Sequence, residues 1–402
     1  MKNLGLVCLA VFFSLGTLHA QRNIVYTNDN VSPNTASAFT VNSDGSLTLI
    51  PGSPFLTGGN GNAGDVDPES ITTATIGRKS FLYVGNGADS TISAFFINRN
   101  TGGIELVGPP FPAGNAFGRA TYSLATSPNG SFLFATDEFD TTIHVFRISG
   151  ATGALSEVPG SPFSTGAQTE GLKVTANGQF LLAGLKSTNS VGVFSISSTG
   201  ALAPVPGSPF AASGEAAAVT VNCAGTFAFV SDAGSSSVDA YAMAVDGSLI
   251  PVAGSPFPSG GTSTINALTL TPNSNNLLTS DVFNSQVSSL AVAQDGSLQP
   301  VPGSPFAADD WVGSIATTRA GDFVYSSLFA IRCGGRLEDR NRWKPHAGSG
   351  PSILDWTTRL RSSGADRLPA GNMRCAIAQN CRGERAARVR SPRILLSLGL
   401  FL

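Results

Sequence analysis

The chain has 402 residues, and 12% of them are charged, about half the ~25% of an average soluble domain. Hydrophobic residues make up 42%, with 46 Gly and 24 Pro, which excludes a highly charged disordered chain and points to dense turns. The net charge of −2 averages −12 over residues 21–329 and +9 over residues 330–402, so the acidic body argues against nucleic-acid binding.

The N-terminus reads as a targeting segment. Lys2 gives a short basic region, Leu4 to Leu18 is apolar, and Leu18-His19-Ala20 fits a small-residue cleavage site. Residues 1–20 are therefore expected to be a signal peptide, with a mature start near Gln21 and a secreted or periplasmic location. The apolar stretch is too short for a transmembrane helix, and no other run reaches ~18 apolar residues. Of five Cys, Cys8 leaves with the signal and Cys223 stands alone in the body. A lone body cysteine reads as a small buried residue rather than half of a bridge. No C-x-x-C occurs, so no zinc site is expected.

A repeat then organises residues 24–329. Pro51-Gly-Ser-Pro-Phe55 returns at Pro159–Phe163, Pro206–Phe210 and Pro302–Phe306, with variants at Val107–Phe111 and Ala253–Phe257. The closing Phe residues are spaced by 56, 52, 47, 47 and 49, and a period near ~47 suits four strands and their turns. Within each unit an alternating run, such as Phe81–Val84 or Phe227–Val230, comes first, often followed by an Asp or Asn. These are Asp29, Asn86, Asp137, Asp232 and Asp281, read as turn-capping residues. A second alternating run follows, then a Gly turn such as Asp44-Gly45 or Asp246-Gly247, a strong hairpin signal. A third run leads into Pro-Gly-Ser-Pro-Phe, and a further strand ends in a turn such as Pro128-Asn129-Gly130.

Period-2 alternation with dense turns excludes a helical solenoid. Pro lacks an N–H for the ladder, so Pro-Gly-Ser-Pro belongs at an outer edge and the strand after it lies inside. The fold class is all-β: a β-propeller with six recognisable blade repeats and an incomplete seventh. The closing Phe residues are expected to pack between blades. The seventh unit starts at Trp311–Thr317 and Phe323–Phe329 and then stops, and the first unit begins at Ile24 without its own inner strand. From about Ala330 an irregular basic tail begins, with thirteen Arg in residues 330–402 and no repeat register. It reads as a frameshifted segment, against the alternative of a basic patch for nucleic acid or membrane.

Phe81-Leu-Tyr-Val84 with Ile92-Ser-Ala-Phe95, the Gly hairpins and the Pro-Gly-Ser-Pro-Phe closures resemble the lactonase-like seven-bladed propellers. That family includes the 6-phosphogluconolactonase-like proteins and repeats named for a Tyr-Val-Thr-Asn strand. The resemblance implies His, Arg and Glu near the starts of inner strands, facing a central channel. Here the two His beyond the signal are His144, in a middle strand, and His346, in the tail. Arg119 is the one basic residue just before an inner strand, and Ala120 follows it.

Candidate ligand-binding residues follow from register. Glu69 and Glu170 each stand eight residues before a turn glycine, Gly77 and Gly178, and Glu215 lies just before its inner strand. Such carboxylates at one channel mouth, with Asp309 and Asp310 nearby, could bind a cation or hydrogen-bond sugar hydroxyls. The competing reading is a solvated acidic rim. Arg119, Tyr122 and Trp311 sit at comparable loop-to-strand positions and could stack on a ligand, or pack the blades. Gly58-Gly59-Asn60-Gly61 reads as a surface loop. No Ser-His-Asp set, Gly-x-Ser-x-Gly elbow, phosphate loop or dinucleotide fingerprint occurs, and no cofactor, metal or catalytic residue is assigned. The expected protein is a monomeric, exported, non-catalytic module for a small polar ligand, glycan or protein. A lactone hydrolase and a non-functional truncated copy remain the alternatives.

Overall fold

In the computed structural model, residues 23–61, 70–114, 123–137, 141–262, 264–308, 311–329 and 395–399 are described. They form six five-stranded sheets and one two-stranded sheet, with one short 3-10 turn, Lys186–Thr188. Each sheet is a blade, numbered here in chain order. Blade four shows the pattern: an inner strand Thr169–Val174, a second strand Phe180–Leu185, a third strand Ser190–Ile196, and outer strands Leu202–Pro204 and Phe210–Ala211.

The outer position is two short strands because Pro-Gly interrupts it. Both pieces pair with the same third strand, on either side of the turn. The Ser of the motif supplies an acceptor for the third strand where the turn interrupts the outer ladder. Ser161 Oγ accepts the Val145 N–H at 2.9 Å, and Ser208 Oγ accepts the Val193 N–H at 2.9 Å. Ser53, Ser255 and Ser304 do the same for Ala38, Ala240 and Ser289. Each bond satisfies a backbone donor that would otherwise cost about 1–3 kcal/mol. That requirement explains why Pro-Gly-Ser-Pro recurs so closely.

Among the described residues the blades pack through seven apolar clusters, and a closing Phe lies in six of them as expected. Phe163 packs on the cluster between blades three and four, and Phe210 on that between four and five. The hairpin glycines interlock the ring. Tyr83 OH donates to the Gly153 carbonyl of the next blade at 2.9 Å. Tyr325 OH does the same to Gly45 at 2.9 Å, although 280 residues separate them. Blade seven has only Trp311–Thr317 and Val324–Phe329, yet it closes on blade one through Tyr325, Ala316, Val25 and Phe323.

Three expectations need correction. The first blade does have an inner strand: Leu395–Gly399 of the tail pairs with Ile24–Asn28, in parallel. The other inner strands lead by a tight turn into their second strands and must run antiparallel, whereas this one arrives from a distant part of the chain. The Gly58–Gly61 loop is exposed only at Gly58 and half-buried at Asn60, while Gly59 and Gly61 are buried, with no room for a Cβ beside Asn86 and the Asn30 backbone. Cys223 is half-buried in a turn rather than a core residue. The remainder of the tail and the signal segment lie outside the described residues.

Candidate functional site

In blades two to seven the inner strands begin on the face where second strands end, since they are antiparallel neighbours. At this face the inner strands of blades four, five and seven carry bulges, between Thr169 and Leu172, Ala216 and Val219, and Val312 and Ile315. A bulge frees a backbone N–H and re-aims the side chains beside it. The freed donors go to hydroxyls on the second strands. Ser231 Oγ accepts from Ala218 N at 2.9 Å, and Ser327 Oγ accepts from Ser314 N at 2.7 Å. Thr136 Oγ1 and Ser280 Oγ make the same bond to Ser123 and Ala267.

Blade four departs from this pattern. Gly184 stands where the hydroxyl would be, because a Cβ there would lie 2.3 Å from the Ala217 carbonyl oxygen of the next inner strand. Leu172, the paired residue that closes the bulge, donates its N–H to Ser123 Oγ of blade three, at 3.1 Å. Within this bulge sits Glu170, 3% exposed. Its Oε1 accepts a hydrogen bond from Lys186 Nζ. Lys186 opens the 3-10 turn after the second strand and keeps about a third of its side chain exposed. The result is a buried carboxylate tied to a half-exposed ammonium at the start of an inner strand. An ammonium so placed can reach an anionic or hydroxyl-bearing ligand without leaving its carboxylate.

The other candidates divide. Glu215 precedes its inner strand as read, but it is exposed, and its carbonyl accepts the Ala233 N–H at 2.9 Å. Trp311 begins the inner strand of blade seven, its backbone opposite Phe329. Glu69, Arg119, Tyr122, Asp309 and Asp310 lie outside the described residues. Of the six candidates the structure describes the side-chain surroundings of Glu170 and Glu215, and for Glu170 it adds a partner, Lys186, that register reasoning missed. The signal for Lys186 was present: five units end the second strand in Asp or Asn, whereas blade four has Leu185 and then Lys186. His144 lies in the third strand of blade three, its Nδ1 2.8 Å from Glu157 Oε1. Among the described residues no group of three His, Cys, Asp or Glu is placed to hold a metal.

The turn-capping acids are buried to different effect. Asp29 accepts from Thr27, Thr35 and Ser37, and its burial pushes its carboxyl above the usual range. In blade five, Ser213 Oγ lies 2.8 Å from Asp239 Oδ2 and 3.3 Å from Asp232 Oδ2. Burial first, and the Asp232 carboxylate in addition, push Asp239 upward. The folded protein therefore holds this proton more tightly than the unfolded chain, and stability falls as pH rises above the unfolded carboxylate value of about 3.9. Asp239→Asn keeps an oxygen for Ser213 and removes the charge. It is expected to raise Tm by about 2 °C near pH 8 and to leave it unchanged near pH 3.5. An equal gain at both pH values in thermal melts would contradict the charge argument.

The family model described as lactonase, seven-bladed beta-propeller, matches residues 16–166 and 124–242, more than half of the chain. The chain belongs to the lactonase family. This lactonase-family propeller is 27% identical over 121 residues to the 6-phosphogluconolactonase of Pectobacterium atrosepticum, covering 30% of this chain and 36% of that one. It is 28% identical over 118 residues to that of Serratia proteamaculans, covering 29% and 35%. The alignment thus spans about a third of the length of these relatives. Among solved structures, the periplasmic gluconolactonase of Pseudomonas aeruginosa superposes with a TM-score of 0.58 at 18% identity, covering 73% of this chain and 85% of that one. A protein from Lactobacillus plantarum gives 0.57 at 18%, covering 74% and 85%. At such identities these likenesses speak for the fold.

Proposed function

We propose that this lactonase-family propeller binds a small polyhydroxylated ligand of the sugar-acid class where blade four meets the channel, without turning it over. The observation that carries this reading is the buried Glu170 carboxylate paired with the half-exposed Lys186 ammonium at the start of an inner strand. Carboxylate oxygens suit sugar hydroxyls, and the ammonium suits a carboxylate or phosphate. Lactone hydrolysis needs a group that handles a proton near neutral pH, a task His performs most often. His144 is bonded to Glu157 in a third strand, away from the inner strands.

The test uses the purified chain with 6-phosphogluconolactone and 6-phosphogluconate. Hydrolysis is expected to stay at the buffer background, while titration calorimetry shows saturable 6-phosphogluconate binding that Glu170→Ala weakens at least about tenfold. A second reading, lactone hydrolysis with Glu170 as base, is favoured by the family and the 6-phosphogluconolactonase relatives. Turnover well above background that vanishes in Glu170→Ala would establish it in place of the first. Neither binding nor turnover would leave the truncated-copy alternative.

The location expected for this binding is outside the cytoplasm. No helix of the described residues is long and apolar enough to cross a membrane. Mass spectrometry of the exported form is expected to show a start at or near Gln21. An intact Met1 on protein recovered from the cytoplasm alone would overturn export.

A further inference from the structure

We propose that the outer edge of Val324–Phe329 in blade seven is a strand-acceptor site for an extended peptide of alternating apolar pattern, supplied by another polypeptide. In six blades the second strand is flanked on both sides. In blade seven, among the described residues, only the inner side is paired, to Trp311–Thr317. Unpaired N–H and C=O groups on a strand edge are a template for an added strand. The blade is otherwise in place, since Tyr325 and Phe323 are already seated against Gly45 of blade one. An incoming strand therefore continues an existing ladder instead of ordering a new one.

The other blades define the chemistry of the guest. Opposite Tyr26 and Tyr83, the residues equivalent to Tyr325, the third strand carries Ala38 and Ala94. Opposite the residue before each Tyr it carries an aromatic, Phe39 and Phe95. The guest that fits is thus an antiparallel segment with a small residue over Tyr325 followed by an aromatic over Val324. The chain itself does not offer this locally. A return as short as that from Asp232 to Ser237 would place residues 333–339 there, whose sequence is Cys-Gly-Gly-Arg-Leu-Glu-Asp. The tail strand Leu395–Gly399 is already used by blade one. A second ring fits poorly too. The third and outer strands of blades six and one stand two strand spacings farther out, about 10 Å, and shield the edge from another folded body. A single extended peptide enters the gap.

The experiment uses the full chain and a synthetic peptide of residues 91–112, the third and outer strands of blade two, labelled at one end. Fluorescence anisotropy is expected to show saturable one-to-one binding. Hydrogen exchange of the Val324–Phe329 amides is expected to slow at least about tenfold on peptide addition, and a peptide carrying Phe95→Asp is expected to bind at least about tenfold more weakly. The proposal is overturned by absent binding, by binding that leaves those amides unchanged, or by equal binding of the two peptides. It is also overturned if those amides are fully protected before peptide is added, which would mean that the chain covers its own edge. Protection that instead rises with protein concentration alone would assign the edge to a second copy and overturn the peptide reading.

Discussion

Gly153→Val is expected to destabilise the propeller by about 2–5 kcal/mol, the largest stability effect of any single substitution considered. Gly153 has φ of +81°, a conformation that a β-branched residue adopts only with strain. A Cβ there would also lie 2.4 Å from the Phe81 ring, which is fully buried in the preceding blade. Left-handed strain contributes about 1–2 kcal/mol and the forced repacking about 1–3 kcal/mol. The Tyr83 hydroxyl, which donates to the Gly153 carbonyl, is at risk in addition. Gly77→Ala is the control. Its φ is +60°, but no atom lies within 4 Å of the new Cβ, so the cost is expected near 1 kcal/mol. Chemical denaturation of both variants decides the matter: equal losses would show that backbone strain alone, and not the interblade wedge, makes glycine necessary.

Lys186→Ala is expected to be the most damaging change at the candidate site, for stability and for ligand binding together. It leaves the Glu170 carboxylate buried without its ammonium. Breaking a fully buried pair typically costs 3–5 kcal/mol, and the exposure of Lys186 reduces the expected loss to about 2 kcal/mol. A buried carboxylate that takes up a proton no longer calls for the ammonium, so the penalty is expected to be present at neutral pH and to shrink at acid pH. Adding Glu170→Gln to Lys186→Ala removes the stranded charge and is expected to recover most of the stability without recovering 6-phosphogluconate binding. Denaturant titrations at pH 7 and pH 4 test the first part and calorimetry the second. A loss of stability independent of pH, or no rescue in the double variant, would show that Lys186 acts through packing of its stem.

A repeat of about 47 residues, the Asp-Gly turns and the Pro-Gly-Ser-Pro-Phe closures determined the blade count, the strand order within a blade and the break in the seventh unit. All of these depend on local spacing and on what Pro and Gly permit. The same spacing placed Glu170 at the start of an inner strand, because its offset from Gly178 matches that of Glu69 from Gly77. Only the tertiary structure decided the partners. Tyr325 meets Gly45 across 280 residues, and Ser123 supports the bulge of the next blade across 49. A period states which positions are equivalent but not which residues of neighbouring blades touch. The union of Glu170 with Lys186 likewise depends on a bulge that turns one side chain toward the end of the adjacent strand. The parallel seat of Leu395–Gly399 beside Ile24–Asn28 depends on where the ring leaves an open edge, which no local pattern in either segment encodes.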